Sequence, residues 1–169
     1  GLAPKNADVL HLAALNEKAK LNYKDSERYF RKSLRYSKNQ PVVLSNLANL
    51  LRIMSKFAEA DKLYLDAIVI QPSLREAWLN RGLLAKEMLD WKQAKICLLE
   101  ALRLQPEPSV FVLILQLYLD TNDLETLKIE SSIFQKNYPN LVEGYVYQSK
   151  ALTKEGDAVA ARIVLMEAL

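Results

Sequence analysis

The sequence predicts an all-α protein, a solenoid of antiparallel helix pairs with about ten helices. Three observations carry this prediction. Glycine is scarce at 4 and proline at 6 of 169 residues, which argues against a turn-rich β fold. Apolar residues recur at spacings of three and four, the helical period. A helical pattern broken by one short turn returns about every 34 residues, a period that marks stacked repeats. The clearest copy is EAWLNRGLLAKEMLDWKQAKICLLEALRLQP over residues 76–106.

Prolines at 41, 72, 106 and 139 set the register. The last three each follow a helical pattern by a few residues, where proline stops a helix. Aligned on them, the first helix of each pair (helix A) starts near residues 7, 41, 75, 108 and 142. The second (helix B) starts near 24, 57, 91, 124 and 158. The chain reads as one array over 1–169, with repeats at about 7–40, 41–74, 75–107, 108–141 and 142–169.

In the first repeat Leu10, Ala13, Ala14, Ser26, Phe30 and Ser33 mark the pair, and the second has Leu44, Leu47, Ala48, Leu51, Ala60, Tyr64 and Ala67. Trp78, Gly82, Ala94 and Ala101 mark the third, and Phe111, Tyr118 and Phe134 the fourth. The fourth fits least well, with Leu127 where the other repeats have a small residue and Ser131 where the first two have Phe30 and Tyr64. The fifth shows Tyr145, Ser149, Leu152, Gly156, Ala161, Leu165 and Ala168, and its helix B is expected to run to Leu169. Small residues such as Ala48, Gly82, Ser149, Ala60, Ala94 and Ala161 let paired helices approach closely, while Trp78, Tyr64 and Phe30 fill the space between repeats. The A–B turns SKFAEA, LDWKQA, TNDLET and EGDAVA are short and polar, as antiparallel pairs require. No pair buries its apolar face alone, so stability comes from stacking.

These residues and their spacing resemble the tetratricopeptide repeat over nearly the whole chain, most closely in the second and third repeats. The resemblance implies a right-handed superhelix whose A helices line a concave groove for a peptide or partner protein. It also places Arg81 where the family has a core leucine. The stem of such an arginine packs while its head reaches water or a carboxylate.

Composition excludes several function classes. One cysteine, Cys97, and one histidine, His11, rule out a cysteine zinc site and argue against histidine triads. No phosphate loop, GxSxG, HExxH or CxxC is present. The carboxylates Asp90, Asp123, Glu125 and Asp157 sit at turns and helix starts, where they suit the helix dipole. No enzyme activity, cofactor or metal is expected. Cys97 reads as a buried small hydrophobe. No apolar run approaches transmembrane length, so no membrane insertion is expected, and the lack of a disulfide framework favours the cytoplasm. Residues 1–62 carry 12 Lys/Arg against 6 Asp/Glu, and residues 63–169 carry 11 against 14. The basic residues of the first helix B (Lys24, Arg28, Arg31, Lys32, Arg35, Lys38) read as a solvated face, and no nucleic acid is expected.

The groove positions implied by the resemblance give the candidate peptide-binding residues: Asn46, Asn49, Arg52, Asn80, Leu83, Lys86, Val112, Leu113, Gln116 and Tyr147. His11 and Lys18 belong to the same face in the first repeat. Asn46 and Asn80 hold one position in consecutive repeats. This resembles the asparagine ladder of O-linked N-acetylglucosamine transferase repeats, and a carboxamide offers a backbone both a donor and an acceptor. The co-chaperone carboxylate clamp is not expected, since its paired cations have no counterpart at the matching positions. Val112, Leu113, Leu119, Val146 and Tyr147 are expected to expose an apolar patch. Ile163, Val164, Leu165 and Met166 with no helix after them suggest a longer protein, self-association through that end, or a recognition arm of a glycosyltransferase-, sulfotransferase- or oxygenase-type enzyme.

Overall fold

The structure is a computed structural model, which describes residues 3–168 and the side chains from residue 6 onward. Ten α-helices follow one another among these residues: α1 (Ala3–Ala19), α2 (Tyr23–Tyr36), α3 (Pro41–Ile53), α4 (Phe57–Ile70), α5 (Arg75–Glu87), α6 (Trp91–Leu104), α7 (Pro108–Asp120), α8 (Leu124–Asn137), α9 (Glu143–Glu155) and α10 (Ala158–Met166). Every start lies within one residue of expectation except that of α1, which begins four residues early. Pro4 falls in its first turn, where a missing N–H costs nothing. Pro41 and Pro108 open α3 and α7 for the same reason. The expected end at Leu169 lies outside the described residues.

The five A–B turns share one backbone solution. A residue with positive φ stands at Leu21, Ser55, Leu89, Asn122 and Gly156. Around each, two hydrogen bonds close the helix end, as in Asp157 N–H to the Leu152 carbonyl and Gly156 N–H to the Thr153 carbonyl. This 6→1 and 5→2 pairing is the Schellman motif. Helix B then starts on an aspartate in three repeats, whose carboxylate accepts a backbone N–H: Asp90 from Gln93, Asp123 from Thr126 and Asp157 from Ala160. The carboxylates at the turns are thus helix caps.

The chain forms two compact bodies, Gly1–Glu100 and Ala101–Leu169, with the boundary inside α6. In the N-terminal body Ala14, Phe30, Val43, Leu47, Leu51, Tyr64 and Leu84 form one buried cluster from α1 to α5. Two serines of α2 tie it to α1: Ser26 and Ser33 are buried, and their hydroxyls donate to the carbonyls of Ala14 and Ala7, both at 2.8 Å. Gly82 faces Leu98 and Cys97, and a Cβ there would stand 3.0 Å from the Leu98 Cγ. That approach explains why α5 carries no side chain where it meets α6. In the C-terminal body the rings of Phe111, Phe134 and Tyr138 pack edge-to-face or tilted, with centroids 5.3 and 4.9 Å apart. Gly144 lies against α8, where a Cβ would meet the Gln135 Cγ at 2.6 Å and the Ser131 carbonyl at 3.1 Å. Ser131 is fully buried and its hydroxyl has no partner.

Candidate peptide-binding surface

The A helices of the N-terminal body, α1, α3 and α5, put the expected polar residues side by side. Asn46, Asn49 and Asn80 line a recess of ≈ 230 Å³ together with Ser45 and Glu76. A second recess of ≈ 380 Å³ shares Asn49 and Asn80 and adds Lys18, Arg52 and Glu87. The spacing follows from the helical period: positions 46, 49 and 52 of α3 lie on one face.

Most of these groups are already in bonds that the sequence reading did not foresee. The Asn46 amide nitrogen lies 3.0 Å from the His11 Nε2. Burial lowers the His11 pKa against the opposing pull of Asp8, so the ring is neutral at pH 7 and its Nε2 accepts from Asn46. Arg52 reaches Glu87 through two nitrogens, at 2.7 and 3.0 Å. Tyr64 donates its hydroxyl to the Asn49 Oδ1 at 2.5 Å. Desolvation pushes the Tyr64 hydroxyl pKa up to about 12, against the pull of Arg52. A polar chain therefore links α3, α4 and α5 beneath the recess. Asn80 is half-buried, and among the described residues no hydrogen bond engages its carboxamide. Leu83 and Lys86 are half-buried on the same helix.

In the C-terminal body Val112 and Leu113 are half-buried on α7. Tyr147 is only 8% exposed, so its ring does not widen an apolar patch as expected. Its hydroxyl donates to the Gln116 Oε1 at 2.9 Å, and the Gln116 amide donates to Asp120 at 2.5 Å. The Lys150 ammonium sits over the Tyr147 ring, 4.6 Å from its centroid, a cation–π arrangement. Lys154 donates to the Leu119 carbonyl at 3.2 Å. Burial, then Asp120 and Glu143, raises the Tyr147 pKa.

Arg81 does what its position suggested: its guanidinium meets both Asp61 oxygens, at 2.7 and 3.3 Å, with the side chain 12% exposed. Cys97 is fully buried, and desolvation raises its pKa although Gln93 donates to the sulfur. On α2, Arg31 joins Glu27 and Glu59, and Lys56 joins Glu27, which stitches α2 to the start of α4. Val159, Ile163 and Met166 of α10 are exposed. Among the described residues no His/Cys/Asp/Glu group could hold a metal, and no helix is long and apolar enough to cross a membrane.

The pairs missed by sequence reading share a signal. His11–Asn46, Arg52–Glu87 and Leu119–Lys154 are each 35 residues apart. That is one repeat plus one residue, the offset at which successive A helices touch.

No family model matches the chain. It is 41% identical over 71 residues to human protein O-mannosyl-transferase TMTC3, a match covering 41% of this chain and 8% of that protein. Among solved structures, MamA from Desulfovibrio magneticus RS-1 superposes with a TM-score of 0.81 at 16% identity, covering 96% of this chain and 94% of the other. YrrB, described as a TPR protein with an unusual peptide-binding site, gives 0.77 at 11% identity, with 94% and 82% covered. The first TPR of Spaghetti (RPAP3), bound to the HSP90 peptide SRMEEVD, gives 0.60 at 22% identity, with 62% and 82% covered. With its repeat signature, its ten paired helices and this likeness along nearly its full length, the chain has the tetratricopeptide-repeat fold, an all-α solenoid.

Proposed function

We propose that the chain is a non-catalytic scaffold that binds an extended peptide or a partner protein along the face of its A helices. The observation that carries this reading is the pair of recesses lined by carboxamides from α3 and α5. A carboxamide pairs with backbone N–H and C=O regardless of side-chain sequence, and peptide recognition commonly combines such bonds with side-chain pockets. Asn80 is the principal backbone reader, because its groups are unengaged. Asn46 supplies the oxygen left over from its bond to His11. The neighbours with peptide-binding sites support the interaction role at the level of the fold.

The test starts from a ligand selected on an array of overlapping peptides. Asn46→Ala with Asn80→Ala should weaken it at least about tenfold, one to two hydrogen bonds' worth, and Asn80→Ala alone, which breaks no internal bond, should leave Tm unchanged. Unaltered affinity in the double variant sinks the carboxamide reading.

A second reading has its own observation in the local identity to a protein O-mannosyl-transferase. On it, the array is the arm that holds a protein acceptor for an attached transferase domain. Acceptor modification by such a domain should fall when Asn80 is replaced; modification independent of the array rejects it. We further propose self-association through Val159, Ile163 and Met166 of α10. Sedimentation as a strict monomer at high concentration excludes it.

A further inference from the structure

We infer that the outer face of α2 and α4, in the N-terminal body, docks on an anionic phospholipid bilayer, with the folded array lying on the surface and not spanning it. The inference is independent of the groove reading, since it uses the B helices and leaves the A helices free.

Residues 23–38 carry six Lys/Arg against two Asp/Glu. The cations fall mostly at spacings of three and four, so α2 presents them as one stripe, away from its buried Ser26, Phe30 and Ser33. Lys24, Glu27, Arg28, Arg31, Lys32 and Arg35 line an open recess of ≈ 510 Å³. Lys32 and Arg35 share a second, of ≈ 290 Å³, with Tyr36. Internal acids use up only part of this charge. Arg31 is held by Glu27 and Glu59, and Arg28 by Asp25. Lys24, Lys32, Arg35 and Lys38 are exposed, and among the described residues no acid meets them. A recess lined by long cations, whose one acid is already bonded, suits phosphate oxygens.

Charge alone would suit any polyanion. The neighbouring helix selects a lipid. The ion pairs Arg31–Glu59 and Lys56–Glu27 lay α4 alongside α2. Of the α4 acids, Glu59 and Asp61 are taken by Arg31 and Arg81, which leaves Asp66, half-buried. The outward residues of α4 include Lys62, Leu65, Val69 and Ile70, with Val69 71% exposed. In the repeat register Leu65 and Val69 stand where α2 has Arg31 and Arg35. The outer face thus passes from a cation stripe to an aliphatic one within a single repeat, and Ile96 and Leu99 of α6 are exposed as well. Cations beside aliphatic side chains match a bilayer interface, where phosphates and acyl carbon lie a few ångströms apart in depth. Single-stranded nucleic acid uses stacking aromatics instead, and Tyr36 is the one exposed aromatic among the described residues of α2 and α4.

The experiment floats the whole 169-residue chain with vesicles of phosphatidylcholine, alone or with about a third phosphatidylserine or phosphatidylglycerol. Both anionic vesicles should capture at least about tenfold more protein than phosphatidylcholine, and capture should fall as salt screens the charges. Each cation near such a surface is worth about fivefold, so Lys32→Gln with Arg35→Gln should lower capture at least about tenfold. Lys136→Gln with Arg162→Gln removes the same charge from exposed positions on α8 and α10 and should leave capture unchanged. Leu65→Ser with Val69→Ser, checked for native helicity by circular dichroism, should lower vesicle capture while leaving any binding of polyuridylate or polyglutamate as it was.

Equal capture by phosphatidylcholine alone overturns the inference, as does an equal loss in the two charge-neutralised pairs. Capture insensitive to Leu65→Ser with Val69→Ser overturns it too. Tighter binding of polyuridylate or polyglutamate than of anionic vesicles overturns it in favour of a nucleic acid or an acidic protein.

Discussion

The two bodies use the same repeat and leave different amounts of hydrogen-bonding capacity open. In the C-terminal body Gln116 is held by Tyr147 and Asp120, Lys154 by a backbone carbonyl, and Lys150 by the ring beneath it. In the N-terminal body the corresponding faces hold Asn80 without a partner and Lys18 without an acid. Both stretches are polar in sequence. What distinguishes a binding surface from a merely polar one is whether its donors have already been satisfied internally.

The contrast can be broken most severely through the cores. Phe134 is fully buried between Phe111 and Tyr138, and Phe134→Ala should cost about 3–5 kcal/mol. Hydrogen exchange should then accelerate in α8 and α9 before it does in α1 and α2; uniform acceleration would deny the bodies separate stability. A finer comparison uses two kinds of buried serine. Ser26→Ala removes a bonded hydroxyl from the Ala14 carbonyl and should cost about 1 kcal/mol. Ser131→Ala removes an unpaired one and should be neutral or stabilising, as read from urea midpoints. The smallest effect sits in the turns. Leu89 holds φ 59° where Gly156 holds 89°. A non-glycine residue there costs about 1–2 kcal/mol and glycine loses about half to one in chain entropy. Leu89→Gly should therefore raise stability by up to about 1 kcal/mol, and Gly156→Ala should lower it by a similar amount.

The fold was legible because repeats, prolines and turn residues each act locally. Pro41 and Pro108 mark helix starts wherever they occur, and the period repeats the message five times. Which residues share a face of each A helix was legible too, since helical register sets it. Its bonding state was not. Whether Asn46 meets His11, or Arg52 meets Glu87, depends on the offset between successive A helices and on side-chain reach. Neither is written in a single repeat. Tyr147 shows the same limit: its register put it on the surface, and packing against Gln116 and Lys150 took it off. Gly144 escaped notice because it lies outside the repeat's signature positions, although it is packed as tightly against α8 as Gly82 is against α6.

The single cysteine has a practical consequence. Cys97 is sealed in the α5–α6 contact, and its thiol is held in the protonated form, so a maleimide finds almost no thiolate in the closed protein. Its labelling rate becomes an internal clock for the opening of that helix pair. A second cysteine placed on an exposed turn can then carry a dye with little background, and the two modifications report from one molecule on where the array breathes.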